Sequence, residues 1–579
     1  MVCLSLLQLP AGTVRSWAPG QLLDILPPRN SKLKLNSHHQ LPNLSRITDA
    51  GLQGIQQSKE CCPSTELVVR ERKRRWATIG RLLGRLLRRG GTGRLYPRVT
   101  INVVPDNVLL EIFEFYLGKD QADLPGFGHK YDRWQTLVHV CRRWRSIVFT
   151  SPRRLDLKLY CTPQRSVNSK TLEIWPELPI VVVAENMESK DDVTNIIATL
   201  RQHNRVCKMY YFNVRFQDSF LNQFAAINEP FPALTSLELY SGEQQDVPVL
   251  PDSFLGGSAP CLQSLCLGGI AYPSIGTLLS STTNLVRLSL WGIPHSGYIS
   301  PETIIPCLAM SPRLKSFGLG FQYSRSQDNR ESRHPPPLTR VVFPNLTSFS
   351  FHGDIEYLED ILPQIDTPVL GQSNFYFFNQ LVFNTPLLGQ FIRRTETLIN
   401  IHEAHIQFRS SDIWITLSVR EGMADGHMAA LQFVICCKSL GRQLSAIAQV
   451  LNSFLSSLPT LESLNITVSR ESSQCEIEVI QWREFLHLFT AVKKVTLKSE
   501  HSVQIVAPAL QELAVEGATE VLPALQNLFL RTGDWQLSGP VKEAIEQFIA
   551  ARQLCGHPVS VHHYGVRHSP STPLWGVEF

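Results

Sequence analysis

The sequence predicts a mixed α/β chain, with a short all-α module ahead of a solenoid of stacked, strand-bearing repeats. Three observations carry this expectation: apolar residues at helical spacing between positions 99 and 155, one leucine phrase that recurs nine times from 231 onward, and a composition able to bury a core. Of 579 residues, 43% are apolar and 18% are charged, which excludes wholesale disorder. The longest apolar stretches, LPIVVVA (178–184) and ALQFVICC (430–437), fall short of the roughly 18 residues that a membrane-spanning helix needs. The opening MVCLSLLQLPAG lacks the basic flank of a secretory signal, so an intracellular chain, cytoplasmic or nuclear, is expected.

Charge divides the chain. Residues 1–98 hold 17 Lys/Arg against 5 Asp/Glu, whereas the remainder holds 38 against 45. Residues 1–69 are rich in Pro, Ser, Asn and Gln without periodicity, so the leader is expected to be disordered. Within 70–89 (RERKRRWATIGRLLGRLLRR), Trp76, Ile79, Leu82, Leu83, Leu86 and Leu87 share one side of a helix with Arg81, Arg85, Arg88 and Arg89 opposite, interrupted by Gly80 and Gly84. A concentrated basic face attracts polyanions, so nucleic acid, an anionic membrane surface, a nuclear import receptor and a solvated tail all remain open for it.

Helical periodicity begins after residue 99. Pro105 and Asp106 suit a helix entrance, and Val108, Leu109, Ile112, Phe113 and Tyr116 follow on one face. A turn-rich insert at 118–133, with Pro125, Gly126 and Gly128, separates this helix from a second amphipathic stretch at 134–152 built on Trp134, Leu137, Val138, Cys141 and Val148, with Trp144 and Phe149 widening its apolar face. About fifty residues make a small core, so the unit is expected to lean on a partner or on the domain after it.

Pro105, the run Leu109-Leu110-Glu111-Ile112-Phe113, and the spaced Trp134, Leu137, Val140-Cys141-Arg142 and Trp144 resemble an F-box. The form most similar is the one of mushroom-forming fungi, in which a V-C-R-x-W-R helix precedes S-P-R-x-L. The resemblance covers about 99–155, and the long insert departs from the tighter general F-box. It implies docking on a Skp-type adaptor and, through it, on a cullin-RING ubiquitin ligase, with Pro105, Leu109, Leu110, Ile112, Phe113, Val140 and Trp144 at or just beneath the adaptor surface. Such docking is helix-in-groove recognition by a few apolar anchors. The competing expectation is a helical hairpin that only caps the next domain.

Leu155, Leu157 and Leu159 then alternate as in a strand. The phrase Pro-x-Leu-x-x-Leu-x-Leu follows in FPALTSLELY (231–240), APCLQSLCLG (259–268), TNLVRLSLWG (283–292), SPRLKSFGLG (311–320) and FPNLTSFSFHG (343–353). It returns in LPTLESLNITV (458–468), TAVKKVTLKS (490–499), APALQELAVEG (507–517) and LPALQNLFLR (522–531). Its first leucines, Leu234, Leu262, Leu285, Leu314 and Leu346, are 28, 23, 29 and 32 residues apart; the later Leu461, Val492, Leu510 and Leu525 are 31, 18 and 15 apart. These intervals straddle the roughly 20 to 29 of leucine-rich repeats, so an irregular leucine-rich-repeat-like horseshoe is expected over 156–550, ahead of a His/Pro-rich tail at 551–579. The Asn or Cys that usually follows the L-x-L strand is mostly missing, and 355–457 fits poorly, with an inserted segment expected around 392–419. An unrelated α/β domain with leucine-rich strands is the alternative.

Residues between the leucines must point away from the core, because side chains alternate along a strand. The candidate target-binding residues are Tyr240, Arg287, Trp291, His352, Lys494, Lys498, Glu512 and Arg531, with Tyr240 and Trp291 foremost as aromatics. Each of these two either faces a partner or packs under a loop.

No Walker, dinucleotide-binding, serine-hydrolase or H-E-x-x-H motif occurs, so no catalytic residue, cofactor or metal is expected. His402 and His405 are spaced for a strand rather than a helical metal pair, and Cys555, His557, His562, His563 and His568 have no fixed ligand spacing. The expected function is recruitment of an unknown target protein to a ubiquitin ligase. A ligase-independent interaction scaffold and a nucleic-acid or membrane-surface binder acting through 70–89 are the alternatives.

Overall fold

The computed structural model describes residues 104–117, 133–163, 178–185, 190–214, 229–241, 247–324, 340–378, 380, 382–419, 429–437, 440–455, 458, 460–469, 479–516, 520–531 and 539–563. The basic leader with its 70–89 segment, the insert at 118–132 and His568 lie outside them. The chain divides into two compact units at Leu157/Lys158.

The described residues of the first unit form three helices, α1 (Asp106–Leu117), α2 (Arg133–Val138) and α3 (Arg142–Thr150). Leu109, Phe113, Trp134, Leu137, Val138, Ile147 and Val148 are at most 5% exposed and form its core. Leu155 and Leu157, expected to open a strand, are buried in this unit instead. Ser151 caps α3 and the amides of Leu155 and Leu157 bond back to Ser151 and Pro152, a turn that alternation alone does not distinguish from a strand.

In the second unit the described residues form eighteen strands, in chain order β1 (Leu159–Cys161), β2 (Ile180–Glu185), β3 (Val206–Val214), β4 (Ser236–Ser241), β5 (Ser264–Gly268), β6 (Arg287–Ile293), β7 (Ser316–Phe321), β8 (Val341–Val342), β9 (Ser348–Gly353), β10 (Ile365–Asp366), β11 (Gln372–Phe377), β12 (Ile401–Phe408), β13 (Asp412–Val419), β14 (Ala429–Cys436), β15 (Ser463–Val468), β16 (Lys494–Leu497), β17 (Asn527–Leu530) and β18 (Ser560–His563). Between them run α4 (Lys190–Leu200), α5 (Ile275–Ser280), α6 (Pro301–Ala309), α7 (Ile355–Ile361), α8 (Pro386–Arg394), α9 (Glu396–Ile399), α10 (Leu440–Asn452), α11 (Val479–His487), α12 (Glu500–Glu516) and α13 (Pro540–Leu554). None of the described helices is long and apolar enough to cross a membrane.

Sixteen of the strands form one sheet in the order β1-β2-β3-β4-β5-β6-β7-β9-β11-β14-β13-β12-β15-β16-β17-β18. All neighbours are parallel except the β12–β13 and β13–β14 pairs. A large parallel sheet whose strands mostly follow chain order is consistent with a leucine-rich-repeat-like solenoid.

Two features lock neighbouring repeats together. The leucines that open the phrase are core residues, with Leu234, Leu262, Leu285, Leu314 and Leu346 each at most 1% exposed. The carbonyl of the next residue then accepts two amides from the following repeat. Thr235 takes Gln263 and Ser264 (2.8 and 3.1 Å), Gln263 takes Val286 and Arg287 (2.8 and 2.9 Å), and Val286 takes Lys315 and Ser316 (2.8 and 3.1 Å). Lys315, Thr347, Glu462 and Lys493 repeat the arrangement further along. Asn284 and Asn345 donate to the carbonyls of Pro260 and Pro312 in the preceding repeats.

Segment 355–457 holds one ordinary repeat and one rearrangement. Strand β11 is a regular member whose leucine sites are taken by Ser373, Phe375 and Phe377 after a buried Leu370. The next three strands form an antiparallel meander laid in reverse, so that β14 pairs with β11 and β12 pairs with β15. The expected insert at 392–419 corresponds to the end of α8, α9 and the first two meander strands.

Two further segments differ from expectation. APALQELAVEG is helical within α12, because Val503, Val506, Ala507 and Leu510 recur at helical spacing and all are at most 3% exposed. The segment read as a tail begins inside α13 and contains β18, which pairs in parallel with β17 and extends the sheet to His563.

At the centre of the sheet one register row runs through Leu239, Leu267, Leu290, Leu319, Phe351, Phe375, Phe433, Ile415, Ile406, Ile466, Leu497 and Leu530. Every member is at most 3% exposed. Phe351→Ala is expected to cost about 3–5 kcal/mol, the usual penalty for truncating a buried phenylalanine, read as a lower urea midpoint.

Candidate functional site

Two surfaces emerge, one in each unit. In the helical unit, the residues of the V-C-R-x-W-R block have distinct local jobs. The Cys141 thiol caps α3 by accepting the Trp144 amide (3.4 Å). Trp144 packs its ring 4.7 Å from Phe113 on α1. Arg143 donates to the Asp106 carboxylate (2.5 and 3.0 Å) and to the Val104 carbonyl (2.5 Å), closing α3 onto the start of α1. Arg145 donates to the Val138 carbonyl (3.0 Å), and Arg154 pairs with Glu111 and Glu114.

The expected adaptor residues divide by depth. Leu109 and Phe113 are fully buried and hold the module together. Leu110, Ile112 and Trp144 are half-buried, Pro105 is exposed, and Val140 is 55% exposed at the turn between α2 and α3. Phe115 (56% exposed) and Tyr116 (44%) add apolar surface. Phe115 was not singled out from the sequence, because its position falls off the helix's main apolar stripe.

In the repeat unit the candidate surface is the sheet face opposite the leucines. Register places Glu238, Cys266, Ser289, Gly318, Ser350, Asn374, Gln432, Thr416, His405, Asn465, Thr496, Phe529 and His562 in one continuous row across it. An adjacent row holds Tyr240, Gly268 and Trp291, and further on Gly320, His352, Tyr376, Val434, Trp414 and Gln407.

Tyr240 and Trp291 lie flat on this face. A Cβ at Gly268 would collide with the Tyr240 ring, and one at Gly318 would come within 2.8 Å of the Trp291 indole, which also covers Gly320. Their burial therefore comes from the neighbouring strands. The Tyr240 hydroxyl meets the Cys266 thiol, whose pKa burial pushes up to about 11. Arg287 is exposed on β6 and acts electrostatically on Glu238, whose carboxyl burial holds above its usual range.

His352 sits between Tyr376 (4.3 Å) and Phe378 (4.7 Å), its Nε2 buried without a hydrogen-bond partner. Burial lowers its pKa to about 4. His405, bonded to the Thr467 hydroxyl (3.1 Å), is likewise lowered to about 4 by burial and then by Lys498. His402 instead meets the Thr460 carbonyl (3.0 Å).

At the far end, Lys494 and Lys498 flank Thr496, and Arg531 is exposed at the end of β17. Lys494 lies over the Phe529 ring (4.7 Å), on whose plane His562 also stacks (4.6 Å). Glu512 does not join this face. It is exposed on α12, because the segment carrying it is helical. Sequence reasoning missed Tyr376, Trp414, Thr496 and Phe529. The first two lie in the stretch whose repeats were unreadable; the other two sit on the same face as the lysines and follow from simple alternation.

Among the described residues no group of three or more His, Cys, Asp or Glu is arranged to hold a metal ion.

These features define a protein whose described residues form a helical unit and a repeat unit of mixed α/β architecture with an open sheet face that is polar and aromatic. No protein-family model matches the chain, and no curated protein matches it. Among solved structures, the chain is similar to the leucine-rich repeat-containing protein LegL7 from Legionella pneumophila, at 15% identity over 57% of this chain and 93% of that one, with a TM-score of 0.24.

The two histidines make the second unit acid-sensitive. Their folded pKa values lie below the ordinary 6.5, so between pH 6.5 and about 4 the unfolded chain binds protons that the folded chain does not. Their contribution to stability is complete above 6.5 and is lost as pH falls toward 4. The urea midpoint of His352→Phe is expected to fall less steeply over that window than that of the unsubstituted chain.

Proposed function

We propose that the chain is a substrate-recognition subunit of a cullin-RING ubiquitin ligase, its helical unit docking on a Skp-type adaptor and its repeat unit holding a target protein. The observation that carries this reading is the split within the F-box-like residues. Leu109 and Phe113 complete a core, while Val140, Pro105 and the half-buried Leu110 and Ile112 leave apolar surface around it. Exposed apolar residues on a unit this small favour a partner that covers them. On this reading the repeat face supplies a separate grip, and the mechanism is proximity: holding a target near a conjugating enzyme raises its effective concentration. No transferring group is needed on this chain.

The depth of each residue selects the test. An aspartate at Leu109 buries a carboxylate in the core and unfolds the unit, so it cannot separate docking from folding. The double variant Ile112→Asp, Val140→Asp alters half-buried and exposed positions. Co-purification with a Skp-type adaptor is expected for the unsubstituted full chain and to be lost in the variant, with circular dichroism unchanged. An unsubstituted chain that retains no adaptor overturns the ligase reading and leaves an interaction scaffold.

A further inference from the structure

The far end of the sheet face concentrates positive charge: Lys494, Lys498 and Arg531 lie on or at the end of two adjacent strands, with the Glu403 carboxylate acting on Lys498. Leu497 pairs with Leu530, and the Arg531 amide donates to the Leu497 carbonyl (3.0 Å), so Lys498 and Arg531 occupy the next step of the same ladder on adjacent strands. Neighbouring strands lie about 4.8 Å apart, and like charges placed side by side across them repel. Burial disfavours the charged form of Lys498 most; the Glu403 carboxylate favours it, and Arg531 and Lys494 each disfavour it by less.

Among the described residues neither the Lys498 ammonium nor the Arg531 guanidinium has a hydrogen-bond or ion-pair partner. The carboxylate that acts on Lys498 is that of Glu403, on β12, which is already bonded to the Asn465 amide. Thr496, between the two lysines on β16, has a buried hydroxyl with no partner. Two unpaired cations, an unused hydroxyl and a third cation at Lys494 thus share one face of two strands.

We propose that this corner is an anion site that takes the carboxylates of an acidic peptide segment on a partner protein, Lys498 and Arg531 gripping one carboxylate and Lys494 a second. Charge complementarity selects the occupant. Three cations on two adjacent strands make a short patch, which suits a short acidic segment better than a continuous polyanion such as nucleic acid. The inference deepens the target-binding part of the proposed function but does not depend on the adaptor, since its readout lies in the other unit.

The test titrates the full chain into a fluorescein-labelled glutamate-rich peptide at low salt and follows fluorescence anisotropy, with the glutamine analogue and a single-stranded RNA of equal charge in parallel. The glutamate peptide is expected to bind, the glutamine analogue to fail, and Lys498→Met combined with Arg531→Gln to weaken binding at least about tenfold. Lys542→Gln, an exposed change on α13, is expected to leave it unaltered. Equal urea midpoints for the chain and the double variant separate lost binding from lost folding. Binding by the double variant within about twofold of the unsubstituted chain, or a double variant that weakens RNA binding more than peptide binding, overturns the proposal.

Discussion

The repeat unit depends on one constraint: a single register, carried across the sheet, that keeps every inward residue in one buried row. Because strand side chains alternate with a period of two, a slip of one residue at any pair would send a leucine outward and a polar residue inward. The row from Leu239 to Leu530 survives the change from parallel to antiparallel pairing, with Phe433 opposite Ile415 and Ile415 opposite Ile406. The meander therefore reverses chain order without breaking the core. The doubly accepting carbonyls after Leu234, Leu262, Leu285 and Leu314 set the offset between repeats with backbone atoms alone.

The same register dictates the chemistry of the opposite face. A ring that lies flat across the sheet covers the strand about 4.8 Å away, so it needs a narrow residue there. Tyr240 on β4 is followed by Gly268 on β5, and Trp291 on β6 by Gly318 and Gly320 on β7. The rings lie down on these glycines and present a smooth aromatic surface. Toward the other end hydroxyl, amide and cationic groups join the face, with Thr496, Asn527, Lys494 and Lys498 around the Phe529 ring.

Much of this was legible because the leucine phrase couples a local motif to a global register. In the five early copies of the phrase, from Leu234 to Leu346, the strand lies where alternation puts it. Legibility failed where another residue met the same packing need. Phe375 and Phe377 fill the leucine sites of β11 without matching the phrase, and Ala507 and Leu510 satisfy the phrase while their neighbours follow a helical period. Strand β18 was hidden for a different reason. Its Ser560, His562 and His563 are exposed, and edge strands carry a weak apolar signal. Surface and core could not be separated within the helical unit either, since Leu109 and Ile112 look alike in sequence and differ only in which neighbour covers them.

That last distinction bears on how the chain divides its work. In the helical unit polar residues are spent on closure: Arg143 ties α3 to the start of α1, Arg154 ties the end of the block to Glu111, and Cys141 caps α3. With the helices fastened by these contacts, apolar side chains such as Val140 are left outside without loosening the unit. In the repeat unit the roles are exchanged. Leucine and phenylalanine provide closure, and the polar side chains between them are left outward. One unit thus leaves apolar surface outward and the other polar and aromatic surface, and Val140 and Lys498 lie in different units.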